Sequence, residues 1–209
     1  IRPYALNADE TRMYAQLSEL HGVIEYDLVA GGELRRLELP IDDGVTEDDY
    51  SFEAPHHGLA LSGDGATLCL AGRASDYVAL VDVASFEPTA VVDVGDMPSW
   101  SVTTPDGRHC VAANTGDGTV SFLSYTTRQE VARVPTGHGP KHLEAGRVPT
   151  DVLAAWAADG APDGEGDRGD EGLVRADALP ATGGGAVTGG ALLLAVSAGC
   201  RRVSRSAAA

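Results

Sequence analysis

Cysteine, aromatic residues and positive charge are all scarce in this sequence. Three of 209 residues are cysteine, and Cys69, Cys110 and Cys200 are an odd number without metal-type spacing. Neither a disulfide framework nor a zinc site is expected from them, and they read as small buried hydrophobes. Lysine and arginine total 15 against 31 aspartates and glutamates, a formal net charge of -16. Such a chain is repelled by phosphate backbones and anionic lipid, so nucleic acid is not an expected partner. Aromatics make up 5% of the residues, whereas 26 glycines and 11 prolines accompany 43% hydrophobic content. That combination describes short, turn-linked elements around a core. Motifs of catalysis are missing as well: no GxSxG elbow, HExxH helix, CxxCH sequence or glycine-rich phosphate loop occurs. The opening IRPYALNADE has neither the basic nor the apolar region of a secretory signal.

What is present is a repeat. RPYALNADETRMYAQL, PHHGLALSGDGATLCLAG and MPSWSVTTPDGRHCVAAN align, and each continues into a second matching stretch. Asp9, Asp64 and Asp106 lie 55 and then 42 residues apart, and Asp27, Asp82 and Ser124 repeat both intervals. Pro55, Pro98 and Pro140 recur at 43 and 42, so HGPKHL opens a fourth unit. Within each unit the period is two, as in VALVDV and TVSFLSY, which predicts strands. Asp64-Gly65 and Asp106-Gly107 predict two-residue type I′ hairpins. The longer first interval is taken up by the acidic loop at residues 39–53, where Asp42, Asp43, Glu47, Asp48 and Asp49 offer oxygen ligands for calcium without EF-hand order.

LSGDGATLCLAG and TPDGRHCVAANTGDGTVSFLSYTTRQEVARVPTGHGP resemble the YVTN-type β-propeller repeat over roughly residues 2–145. The expected fold is all-β: about three four-stranded antiparallel blades at 1–40, 54–95 and 97–137, with a closing segment at 138–149 that starts a fourth. Four short strands in 42 residues form a sheet that buries both faces only when neighbours stack on it. Three blades make a partial ring, and the chain starts inside a blade, so it is expected to be the C-terminal part of a propeller of about seven blades. A ring completed by several copies is the alternative.

Residues 150–178 are expected to hold a short helix or strand and then an acidic flexible linker. Leu179-Pro180-Ala181-Thr182-Gly183, an apolar run at 184–200 and Arg201-Arg202-Val203-Ser204-Arg205 resemble an LPXTG-type cell-wall sorting signal of Gram-positive bacteria. That resemblance implies transient membrane insertion of 184–200, cleavage by sortase between Thr182 and Gly183, and attachment of Thr182 to peptidoglycan. The expected address is the cell surface, with a membrane-anchored extracytoplasmic protein as the alternative.

In a propeller the segments leading into successive innermost strands converge on one mouth of the central channel. His56, His57, Trp100, Lys141 and His142 are therefore the candidate ligand-binding residues, for an unknown protein or a small anionic or aromatic molecule, or a metal held by His57 and His142. No cofactor is expected; calcium or a channel-mouth metal is the alternative. The expected function is a binding or interaction scaffold rather than a catalyst. The alternative is a propeller enzyme, a lactonase-like hydrolase or a quinone- or haem-assisted oxidoreductase, with most catalytic residues elsewhere.

Overall fold

The computed structural model describes residues 1–147, 149–152 and 154, together with the strands at 171–175 and 192–198. Three four-stranded antiparallel sheets follow one another in the chain. Blade 1 comprises β1 (Tyr4–Leu6), β2 (Arg12–Ala15), β3 (Gly22–Asp27) and β4 (Gly32–Glu38), paired in chain order. Blade 2 comprises β5 (Leu59–Leu61), β6 (Thr67–Gly72), β7 (Tyr77–Asp82) and β8 (Glu87–Asp93). Blade 3 comprises β9 (Pro98–Thr103), β10 (His109–Asn114), β11 (Thr119–Ser124) and β12 (Gln129–Pro135).

The period-two pattern decides how the blades stack. In β6, Leu68 and Leu70 point toward blade 1, where they meet Tyr14, Val23 and Leu39; Cys69, between them, points the other way, toward Cys110 and Leu123 of blade 3. Leu68, Cys69 and Leu70 are all fully buried, because β6 is sandwiched on both faces. The last interface packs Val111, Ala113, Val120 and Phe122 against Leu143 of β13 (Pro140–Arg147).

Cys69 and Cys110 form a disulfide with Cα atoms 6.3 Å apart, correcting the expectation of three unpaired thiols. Counting cysteines concealed the pairing. A one-repeat separation would be 42 residues, but the two lie 41 apart. That single-residue offset turns Cys110 onto the opposite face of its strand, so it looks back at the preceding blade.

The hairpins also differ from expectation. In blades 2 and 3 the i→i+3 bonds run from Gly65 N–H to the Ser62 carbonyl and from Gly107 N–H to the Thr104 carbonyl, at 2.9 and 2.8 Å. Gly65 and Gly107 alone take left-handed φ, at 73° and 74°, which is a turn followed by a left-handed residue rather than type I′. Asp64 and Asp106 cap the turns from within: Asp64 Oδ1 accepts the Ser62 hydroxyl at 2.6 Å and the Ala66 N–H at 3.0 Å. Asp27 and Asp82 likewise accept turn amides, from Val29, Ala30 and Ser85.

A fourth sheet of three strands follows, in the order β13, β15 (Leu192–Ala198), β14 (Glu171–Arg175). β14 lies where the sequence reading expected only flexible linker, and β15 lies within the apolar run. Both pairings are antiparallel and give the backbone of β13 a partner along Pro140–Arg147. Residues 150–152 and 154 are helical. No helix among the described residues is long and apolar enough to cross a membrane. Leu179, Pro180, Ala181, Thr182 and Gly183 lie outside the described residues.

Candidate functional site: the channel mouth

The segment leading into β5 is tied to β9 and to blade 1. Before β5, the His57 N–H donates to the Ala71 carbonyl at 3.2 Å and the Ala71 N–H donates to the Gly58 carbonyl at 2.8 Å. Glycine at 58 permits the close approach, since a Cβ there would sit 2.8 Å from Ala71 Cβ and 2.9 Å from the Trp100 carbonyl carbon. Buried Gln16 of blade 1 clamps the same glycine, donating to its carbonyl at 3.1 Å and accepting its N–H at 2.8 Å. Three blades therefore meet at Gly58.

This geometry brings His57, Trp100 and His142 together. Ring centroids are 5.7 Å apart for His57 and Trp100 and 4.5 Å for Trp100 and His142, so Trp100 stands between the two imidazoles. His57 Nδ1 donates to the Ser99 carbonyl at 2.9 Å, leaving Nε2 as the acceptor of a neutral ring. Burial holds the His57 imidazole below its ordinary pKa, and the positive charges of Arg73 and Lys141 act in the same direction. Lys141 lies with its ammonium 5.6 Å from the Phe52 ring centroid. Phe52, in the acidic loop, is exposed, and its carbonyl accepts from the Arg2 guanidinium.

His56 is elsewhere. It has no exposed surface, and its Nε2 lies 2.9 Å from Tyr77 Oη and 3.2 Å from His21 Nδ1. Adjacent residues in extended chain point to opposite sides, so His57 joins the row with Trp100 and His56 does not. His21, just ahead of Gly22, is the buried partner of this cluster.

Beside the row, a cleft of about 170 Å³ is lined by Asp49, Arg73, Asp76, Asp96 and Met97, among others. That is below the roughly 300 Å³ at which small-molecule pockets begin. Asp96 has its carboxyl pushed above the ordinary range by burial and by the neighbouring Asp76 and Asp117. In the acidic loop, Asp49 Oδ2 accepts both the N–H and the hydroxyl of Thr46, at 2.8 and 2.9 Å. Among the described residues no group of three or more His, Cys, Asp or Glu side chains is placed to hold a metal.

Neither the protein-family models nor the curated proteins give a match. Solved structures do. Hydrazine synthase of Kuenenia stuttgartiensis superposes with a TM-score of 0.58 at 18% identity, over 70% of this chain and 41% of that one. U3-55K gives 0.56 at 13% identity, over 69% and 43%, and the WD40 repeats of RRP9 give 0.55 at 12%, over 69% and 43%. At such identities the likeness carries the fold alone. With the four-stranded antiparallel sheets it defines the class: this chain is built of β-propeller blades. It spans about two fifths of the length of these structures.

Proposed function

We propose that this chain is an exported YVTN-type β-propeller, attached to the cell wall of a Gram-positive bacterium through Thr182, that serves as a binding scaffold through its channel mouth. The observation that carries the binding role is the row of His57, Trp100 and His142, supplied by three successive units and gathered at one end of the arc. Among the described residues the mouth offers ring faces and cations but no nucleophile with a hydrogen-bonded base, which is the composition of a recognition surface rather than of an acyl- or phosphoryl-transfer site.

The Cys69–Cys110 bridge supports the address independently, because structural disulfides form and persist in oxidising compartments and are rare in the cytosol. The sequence LPATG followed by an apolar run and arginines supports wall attachment through sortase. The test is fractionation of a Gram-positive host expressing the protein. Attachment through Thr182 predicts release by muramidase, with Thr182→Ala shifting the protein to the membrane and medium. Muramidase-releasable protein that survives Thr182→Ala contradicts the anchoring, and a tightly bound chromophore or stoichiometric metal at the mouth contradicts the scaffold in favour of an enzyme.

A further inference from the structure

Lys141 is the single lysine of the chain. Arg2, Arg12, Arg35, Arg36 and Arg133 pair with carboxylates, whereas Lys141, like Arg108, Arg128 and Arg147, pairs with none among the described residues. What sets Lys141 apart is its aromatic surroundings. Its nearest described partner is aromatic, the Phe52 ring at 5.6 Å.

Phe52 is held out for contact. It is 70% exposed and adopts a left-handed φ of 56°, followed by Glu53 at 57°, a conformation that costs free energy for non-glycine residues. Arg2 maintains it, donating to the Phe52 carbonyl and pairing with Glu53 at 3.9 Å. Glu53 is thus engaged by Arg2. The next residue, His142, is exposed and edge-on to the half-buried Trp100.

We propose that the channel mouth binds a carboxylate-bearing aromatic molecule, its carboxylate on the Lys141 ammonium and its ring between Trp100 and Phe52. This rests on the reading of the mouth as a binding face and names what that face takes. A single ammonium matches a monoanion, and the negative field of the whole chain disfavours ligands of higher charge such as phosphate esters. The flanking rings add apolar contact and favour a planar ligand over a small carboxylate.

The test uses the full chain carrying Trp156→Phe, which leaves Trp100 as the sole indole. Its fluorescence is titrated with benzoate, with the neutral isostere benzamide and with acetate. Benzoate is expected to bind at least about tenfold more tightly than benzamide, the difference a charged hydrogen bond supplies, and more tightly than acetate. Lys141→Met should abolish the preference for benzoate over benzamide, and Lys141→Arg should keep it. Equal affinity for benzoate and benzamide, a preference that survives Lys141→Met, or no saturable response to any of the three overturns the proposal. Acetate matching benzoate overturns the part played by the rings. Wall attachment is read separately from Thr182→Ala, so failure here and failure of the broader reading are told apart.

Discussion

His56 Nε2 is the donor to Tyr77 Oη, because that hydroxyl itself donates to the Pro40 carbonyl at 2.8 Å. The ring is therefore neutral, and protonating it would place charge on a buried Nδ1 that has no hydrogen-bond partner. Burial, and then the neighbouring His21, hold its pKa well below the ordinary 6.5. His21, His57 and His109 are also lowered, chiefly by burial. For a group depressed in the folded state, the unfolded chain binds more protons once the pH drops below the unfolded pKa. The stability held by these neutral rings is complete above about pH 6.5 and declines as the pH falls. His56→Gln should flatten that decline by up to one proton, about 1.4 kcal/mol per pH unit, read from urea midpoints between neutral and acidic pH. At the same scale, Cys69→Ser should cost about 2–5 kcal/mol in the oxidised protein, with Cys200→Ser as the control. The pair His56-His57 marks the limit of sequence reading: alternation says that one ring is buried and the other faces the mouth, but which is which depends on the neighbouring blade.

Strands and turns were largely legible, because their markers are local. Asp9, Asp64 and Asp106 fixed the repeat frame, and the alternation in TLCLAG and HCVAAN located β6 and β10. Turn type was not legible, since Asp-Gly fits both a type I′ turn and a turn with left-handed glycine; the observed form follows from Ser62 and Thr104, whose hydroxyls meet the aspartates. The disulfide escaped because it depends on register between elements. Interfaces between blades also have tolerances invisible to pattern. Gly58 is such a point, and Gly58→Ala, with a Cβ 2.8 Å from Ala71 Cβ and 2.9 Å from Ser101 Oγ, should lose about 1–3 kcal/mol by overpacking. Gln16→Leu should cost about 1–3 kcal/mol, by leaving the Gly58 N–H buried without a partner while its carbonyl keeps the Ala71 N–H. Both are measured as denaturant midpoints.

For the whole molecule, the stacking rule identifies an unusual surface. Leu59, Leu61, Leu68, Leu70, Ala79 and Val81 face blade 1 and lie 55 residues after Tyr4, Leu6, Met13, Ala15, Ile24 and Tyr26. On the corresponding face of blade 1, Ala15 and Ile24 are buried against Leu17 and Leu20, while Tyr4 and Leu6 remain 59% and 37% exposed. The exposed part of this face should drive association, restrained by the net charge of -16. The apparent mass should rise above 21.5 kDa with concentration and with salt, which screens the repulsion. Tyr4→Glu combined with Leu6→Lys should suppress the rise; light scattering after size exclusion decides.

Peptide mapping without reduction is the most direct test of the account, because the alternation of strand faces, the stacking of blades 2 and 3 and an oxidising address all converge on one covalent bond. Mass spectrometry of the unreduced protein should find the peptide of Cys69 linked to that of Cys110. Alkylation of both Cys69 and Cys110 would contradict it.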